Sequence, residues 1–197
     1  MDRIVDLMQA NKGYARTHEL REAGFHSREI TEALKLNVIE KIKPGLYKLI
    51  DYEWDENSSY IDVCKAKNDS VICLLSALHY HGLSTTKPEY ITIAVKRSTD
   101  KVRIDYPPVS VYYFADSQYN LGIEQVNTKM GSFRIYNMEK SICDSFRFRN
   151  KIGEDLALEA LKTYLSLENS KPTLLLEYAK TCRVKTILLP YLKAMLG

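Results

Sequence analysis

Apolar residues recur every three or four positions at the start of the chain. Ile4, Leu7 and Met8 mark one face of a short helix that stops near Asn11-Lys12-Gly13. The stretch THELREAG reads as a second helix, with Thr17 at its cap and Glu19 favouring the dipole of its first turn. Leu20 and Ala23 turn inward, Gly24 stops the helix, and Phe25 plugs the turn that follows. Ser27 caps a third helix with Glu29 in its first turn. Ile30, Ala33 and Leu34 are its inner stripe, which leaves Arg28, Thr31, Glu32 and Lys35 outside. The period then changes to two. In KIKPGLYKL, residues 41–49, Ile42 points one way and Lys41 and Lys43 the other, and Pro44-Gly45 supplies the turn of a hairpin.

Helix, helix, tight turn, helix and hairpin within the first 50 residues predict a winged helix-turn-helix. In that arrangement the third helix enters the major groove and its outward residues reach base edges, so Ser27, Arg28, Thr31 and Lys35 are recognition candidates. The hairpin runs beside the sugar-phosphate backbone, where Lys41, Lys43 and Lys48 would neutralise phosphates. Arg16, ahead of the second helix, is a further phosphate candidate. Glu32 on the same face repels phosphate, although it can accept from a cytosine amino group.

Residues 51–68 read as an acidic connector, with Asp51, Glu53, Asp55, Glu56 and Asp62 early and Lys65 and Lys67 late. A second domain, 69–197, opens with DSVICLLSALHYHGL, which predicts one deeply buried helix capped by Asp69 and stopped by Gly82. Residues 89–97 and 109–115 read as strands. GIEQVNTKM and SFRIYN, around Met130-Gly131, read as a hairpin. Helical periodicity then returns, first after an Asn137 cap, next through Leu156 to Leu165, then from Pro172 to Tyr178, and last from Val184 with Pro190 as an interruption. The expected fold class is therefore α+β: a winged helix-turn-helix over 1–50, then a domain with a mostly antiparallel sheet and C-terminal helices.

Charge and chemistry refine the picture. The net charge of +3 is too small to imply nucleic acid by itself, but the charges are segregated along the chain. Lys180, Arg183 and Lys185 lie in a basic stretch near the end, read either as a solvated face or as a second phosphate-contacting surface. The four cysteines, Cys64, Cys73, Cys143 and Cys182, show no C-x-x-C spacing and read as buried thiols of a reduced, cytoplasmic protein. The start is too short and acidic for a signal peptide, and no apolar run is long enough for a membrane span. His79 and His81 sit two apart near a helix end, a poor spacing for shared metal ligation. There is no P-loop, no G-x-S-x-G and no acid two residues before a lysine. No catalytic residue, cofactor or metal is expected.

Three segments carry a family resemblance. THELREAGFHSREITEALKLNVIEKIKPGLYKL resembles the winged-helix domain of the AbiE-type antitoxins of type IV toxin–antitoxin, abortive-infection systems. VICLLSALHYHGLSTTKPEYITIAVKR is similar to the opening of that family's second domain, and RIYNMEKSICDSFRFRNKIGEDLALEALKTYL to its later block. The resemblance implies a bifunctional antitoxin. Its N-terminal domain would bind inverted repeats in double-stranded operator DNA and repress its own operon. Its C-terminal domain would counteract a nucleotidyltransferase-like toxin, with no stable complex required. The alternatives are a standalone winged-helix regulator with a ligand- or partner-sensing second domain, and a protein-interaction module. The oligomeric state is not fixed by the sequence.

Overall fold

A computed structural model describes residues 2–52 and 56–196, so Glu53 and Asp55 of the expected connector lie outside the described residues. The chain is mixed α+β and divides into two units. The first takes the chain up to Asn68 together with 101–108 and 127–133, and the second holds 69–100, 109–126 and 134–197.

The first unit opens with α1 (Asp2–Ala10), β1 (Tyr14–Arg16), α2 (Thr17–Glu22) and α3 (Ser27–Lys35). It continues with β2 (Ile39–Lys43), β3 (Leu46–Leu49) and α4 (Ser58–Ala66). Ile4, Met8, Leu20, Phe25, Ile30, Ala33, Ile39 and Leu49 form one core, as the helical and period-two patterns require. Each fully buried leucine or isoleucine in it contributes about 1.5–3 kcal/mol. The helix starts differ from expectation by one residue. Arg16 and His26 occupy the cap positions, and their N–H groups donate to Glu19 at 2.6 Å and to Glu29 at 2.8 Å. A carboxylate reaching back from the first turn replaces the expected Thr17 and Ser27 caps.

The hairpin is part of a three-stranded sheet of order β1-β3-β2, antiparallel throughout. Tyr14 pairs with Lys48 and Ile39 with Leu49. Gly13 leads into β1 at φ +81°, and a β-carbon there would lie 2.5 Å from the Tyr52 ring, so a side chain is excluded twice over. Most of the later part of 51–68 is helical, α4 (Ser58–Ala66). Within it α4 buries Ile61, Val63, Cys64 and Ala66, and Ala66 joins Ile42, Leu46 and Ile104 in a second apolar cluster.

The second unit contains β4 (Val71–Ile72), α5 (Leu74–Tyr80), β5 (Ile91–Lys96), β6 (Val109–Phe114), α6 (Asp116–Tyr119), β7 (Ile123–Thr128) and β8 (Gly131–Tyr136). The division passes through β7 and β8. Then come α7 (Met138–Arg147), α8 (Arg149–Ile152), α9 (Glu154–Leu165), α10 (Pro172–Thr181) and α11 (Lys185–Leu196), with Pro190 inside the last. The helix expected from Asp69 starts only at Leu74. β-Branched Val71 and Ile72 instead form a strand between β5 and β8.

The expected mostly antiparallel sheet is mixed. Its order is β6-β5-β4-β8-β7; β4 and β5 are antiparallel, whereas β4–β8 and β5–β6 are parallel. The connection from β5 to β6, residues 97–108, is long enough to bring the chain back to the same end, as a parallel pair demands. Leu78, Ile142, Phe146, Leu161, Leu175 and Leu188 tie α5 and the later helices into one core.

At the centre of α7 lies an ion pair with no solvent exposure on either side chain. Lys140 Nζ donates to both oxygens of Asp144, at 2.6 and 2.5 Å. The ammonium sits 4.6 Å from the Phe114 ring centre and 4.2 Å from that of Tyr136. All four cysteines are buried. No helix among the described residues is long and apolar enough to cross a membrane.

Candidate nucleic-acid interface

The candidate interface is built on α3. The Phe25 plug and the Gly24 turn, at φ +87°, set α3 directly after α2, and Ile30 and Ala33 fasten its inner side. Ser27, Arg28, Thr31, Glu32 and Lys35 line the outer side around a shallow cavity of about 420 Å³. All five are exposed. The Thr31 hydroxyl donates to the Ser27 carbonyl at 2.9 Å, which engages its proton and leaves its methyl group and oxygen lone pairs to contact a partner. Neither Arg28 nor Lys35 holds an ion pair among the described residues. With Glu32 they leave one net positive charge on the face.

Arg16 stands at the start of α2 and shares a cavity of about 520 Å³ with Thr17, His18, Arg21, Glu22 and Gly45. The Thr17 N–H donates to the Gly45 carbonyl at 3.0 Å, which fixes the hairpin tip beside this helix end. His18 and Arg21 were not among the sequence candidates. Inward Leu20 in THELRE leaves both on the outside of α2, so the signal was present.

The hairpin lysines are placed differently from the expectation that all three face phosphates. Lys48 lies beside Asp62 of α4, 3.0 Å from its carboxylate, with side chains 11% and 4% exposed. Tyr14 donates its hydroxyl to the same Asp62 at 2.5 Å. Burial, then the Asp62 charge, pushes the Tyr14 phenol far above its ordinary range. Lys43 donates to the Ala66 carbonyl at the end of α4. Burial lowers its pKa, and Arg16 and Lys67 lower it further. Lys41 is the exposed one, 3.3 Å from Asp105. The physical reason is α4: it covers a strand surface that the sequence leaves open, and its acid and carbonyl satisfy the ammonium groups.

Lys48→Met is expected to destabilise the chain by about 3 kcal/mol, at the low end for a broken buried pair because Tyr14 still donates to Asp62. Urea unfolding checks this. The salt dependence of duplex binding is expected to stay as it is. A salt slope lowered by about one, with an unchanged unfolding midpoint, would return Lys48 to the phosphate contacts.

In the second unit, Lys180 and Arg183 are exposed and Lys185 is half-buried, at the turn between α10 and α11. His81 is tied by Nε2 to the Tyr136 carbonyl at 2.8 Å, and burial lowers its pKa; His79 is exposed.

No family model matches the chain, and no curated protein matches it.

Proposed function

We propose that the chain is a winged-helix DNA-binding repressor and the antitoxin of a type IV toxin–antitoxin pair. The element order α1-β1-α2-α3-β2-β3 with sheet order β1-β3-β2 supports the winged-helix reading. The observation that carries the DNA reading is the outer face of α3, where Arg28, Thr31 and Lys35 stand together and exposed after a tight turn. Its target is operator DNA with inverted repeats, where two chains can occupy two half-sites. The antitoxin half rests on the sequence resemblance in the second domain, which assigns 69–197 the task of counteracting a nucleotidyltransferase-like toxin in the cytoplasm. No catalytic step is assigned to the chain.

Fluorescence anisotropy of the full chain tests the DNA half, with its own upstream duplex and a scrambled duplex at two salt concentrations. Selective, salt-sensitive binding supports it; equal or absent binding on both duplexes overturns it. Growth rescue on co-expression with a neighbouring nucleotidyltransferase-like toxin tests the other half. Protein docking by the same face is the second reading. It is favoured by Leu36 and Ile50, 59% and 43% exposed, and by the withdrawal of Lys43 and Lys48 onto α4.

A further inference from the structure

Along β1, within the first unit, Lys12, Arg16 and Lys65 converge on a cleft of about 500 Å³ that Asn11, Glu19 and Asn68 help to line. Each cation is positioned by the fold. Lys12 sits in the turn after α1 at φ +55°, its N–H donating to Gln9 and the next N–H to Met8. Arg16 donates from Nη2 to the Lys65 carbonyl at 3.4 Å. Lys65 is half-buried, with its ammonium 4.5 Å from the Tyr14 ring centre.

The group is electrostatically unfinished. Burial lowers the Lys65 pKa first, and the charges of Lys12 and Arg16 lower it further. Glu19 and Asp62 act in the opposite direction, but they do not outweigh burial and the two cations. Glu19 accepts the Arg16 N–H, and Asp62 holds Lys48 and the Tyr14 hydroxyl. Neither the Lys12 nor the Lys65 ammonium has a hydrogen bond or ion pair among the described residues. Three cations held together against one acid repel one another, and an anion between them removes that cost.

We propose that this cleft binds the terminal phosphate of a small phosphorylated ligand. Two ammonium groups and a guanidinium fork suit a dianionic head with several acceptor oxygens. The amides of Asn11 and Asn68 add neutral donors at the wall. The volume lies within the range of small-molecule sites, and the concave shape favours a free terminal phosphate over the ridge of a duplex backbone. The assignment goes beyond the DNA reading: of the residues named for that reading Arg16 alone lines the cleft, and none of the α3 residues does.

The test is thermal unfolding of the full chain against pyrophosphate, with sodium chloride at matched ionic strength as the control. A saturable rise in the midpoint for pyrophosphate alone is expected. Lys65→Gln and Lys12→Gln are each expected to weaken the apparent affinity about tenfold, the size of one lost charged hydrogen bond. Lys12 is exposed, so its variant tests the site even if Lys65→Gln loses stability. Arg28→Ala is expected to bind pyrophosphate as the wild type does. An unsaturable response, or wild-type affinity in both glutamine variants, overturns the site. Competition by an operator-length duplex that is itself weakened by Lys12→Gln would give the site to a backbone phosphate and overturn the small-ligand assignment. Because pyrophosphate needs no duplex, failure of the DNA reading leaves this measurement intact.

Discussion

Lys140→Met is expected to destabilise the chain by about 3–5 kcal/mol, the cost of removing one partner from a fully buried ion pair. Methionine keeps an unbranched apolar stem against Phe114 and Tyr136, so the change isolates the charge from the packing. Asp144 is then left without its bidentate donor, and Arg147 is the positive charge that still acts on it. The pH dependence has a definite sign. Burial already raises the Asp144 pKa above its ordinary value, despite the opposing charges of Lys140 and Arg147. Without Lys140 it rises further. A carboxyl group with a raised folded pKa destabilises the fold only where the unfolded chain would ionise it. The deficit of the variant is therefore smallest below the ordinary carboxylate range and grows as the pH rises through and above it. Urea midpoints at acid and neutral pH measure both effects. Adding Asp144→Leu to Lys140→Met is expected to recover most of the loss, because a buried pair replaced as a pair by apolar residues costs little. A single variant as stable as the wild type at neutral pH would show that the charge of Asp144 needs no partner.

That pair also shows where sequence reasoning stops. A lysine four residues before an aspartate on a helix has the spacing of a solvated surface pair. Only packing against the ring of Phe114, from a strand distant in sequence, together with that of nearby Tyr136, turns the same spacing into a buried one. The first three helices and the hairpin were legible because their signals are local: Ile30 and Ala33 set the period of α3, and Gly24, Phe25 and Pro44-Gly45 mark its neighbours' turns. The outer face of α3 followed from the same period.

β1 was not legible. It is three residues long and is a strand only because β3 offers it a ladder. α4 was hidden by its acidic surroundings, because Asp62 reads as solvated until Lys48 and Tyr14 are found beside it. Ile42 is buried as the hairpin alternation predicts, but the register slips between Lys41 and Lys43, Leu46 and Leu49 are both buried, and what covers Lys43 and Lys48 comes from α4. The Lys12–Arg16–Lys65 cleft has the same origin: its members come from a turn, a strand end and a helix that the chain order separates.

If the chain binds operator DNA as proposed, withdrawal of two hairpin lysines shifts the burden of sequence reading onto α3, and Arg28→Ala is the substitution that measures it. Arg28 is exposed in the first turn of α3 and holds no ion pair among the described residues. Of its neighbours, Thr31 has its hydroxyl turned to the Ser27 carbonyl, which leaves a methyl group suited to thymine. Glu32 carries the wrong sign for phosphate, and Lys35 is a point charge without a fork. On the proposed DNA reading, bidentate contact with a guanine edge falls to Arg28. Its removal is expected to cost about 1–3 kcal/mol on the chain's own upstream duplex, roughly a 5- to 150-fold loss of affinity. The scrambled duplex should lose far less, and the unfolding midpoint should not move, because no folded contact is broken. Lys35→Ala is the contrasting control: a similar loss on both duplexes and a salt slope lower by about one. Arg28→Ala weakening both duplexes alike would make Arg28 a backbone contact, and specificity would then have to come from the shape of the DNA. Wild-type affinity for both duplexes after Arg28→Ala and Lys35→Ala together would remove α3 from the DNA altogether, and its exposed face, with Leu36 at its end, would be left to a protein partner.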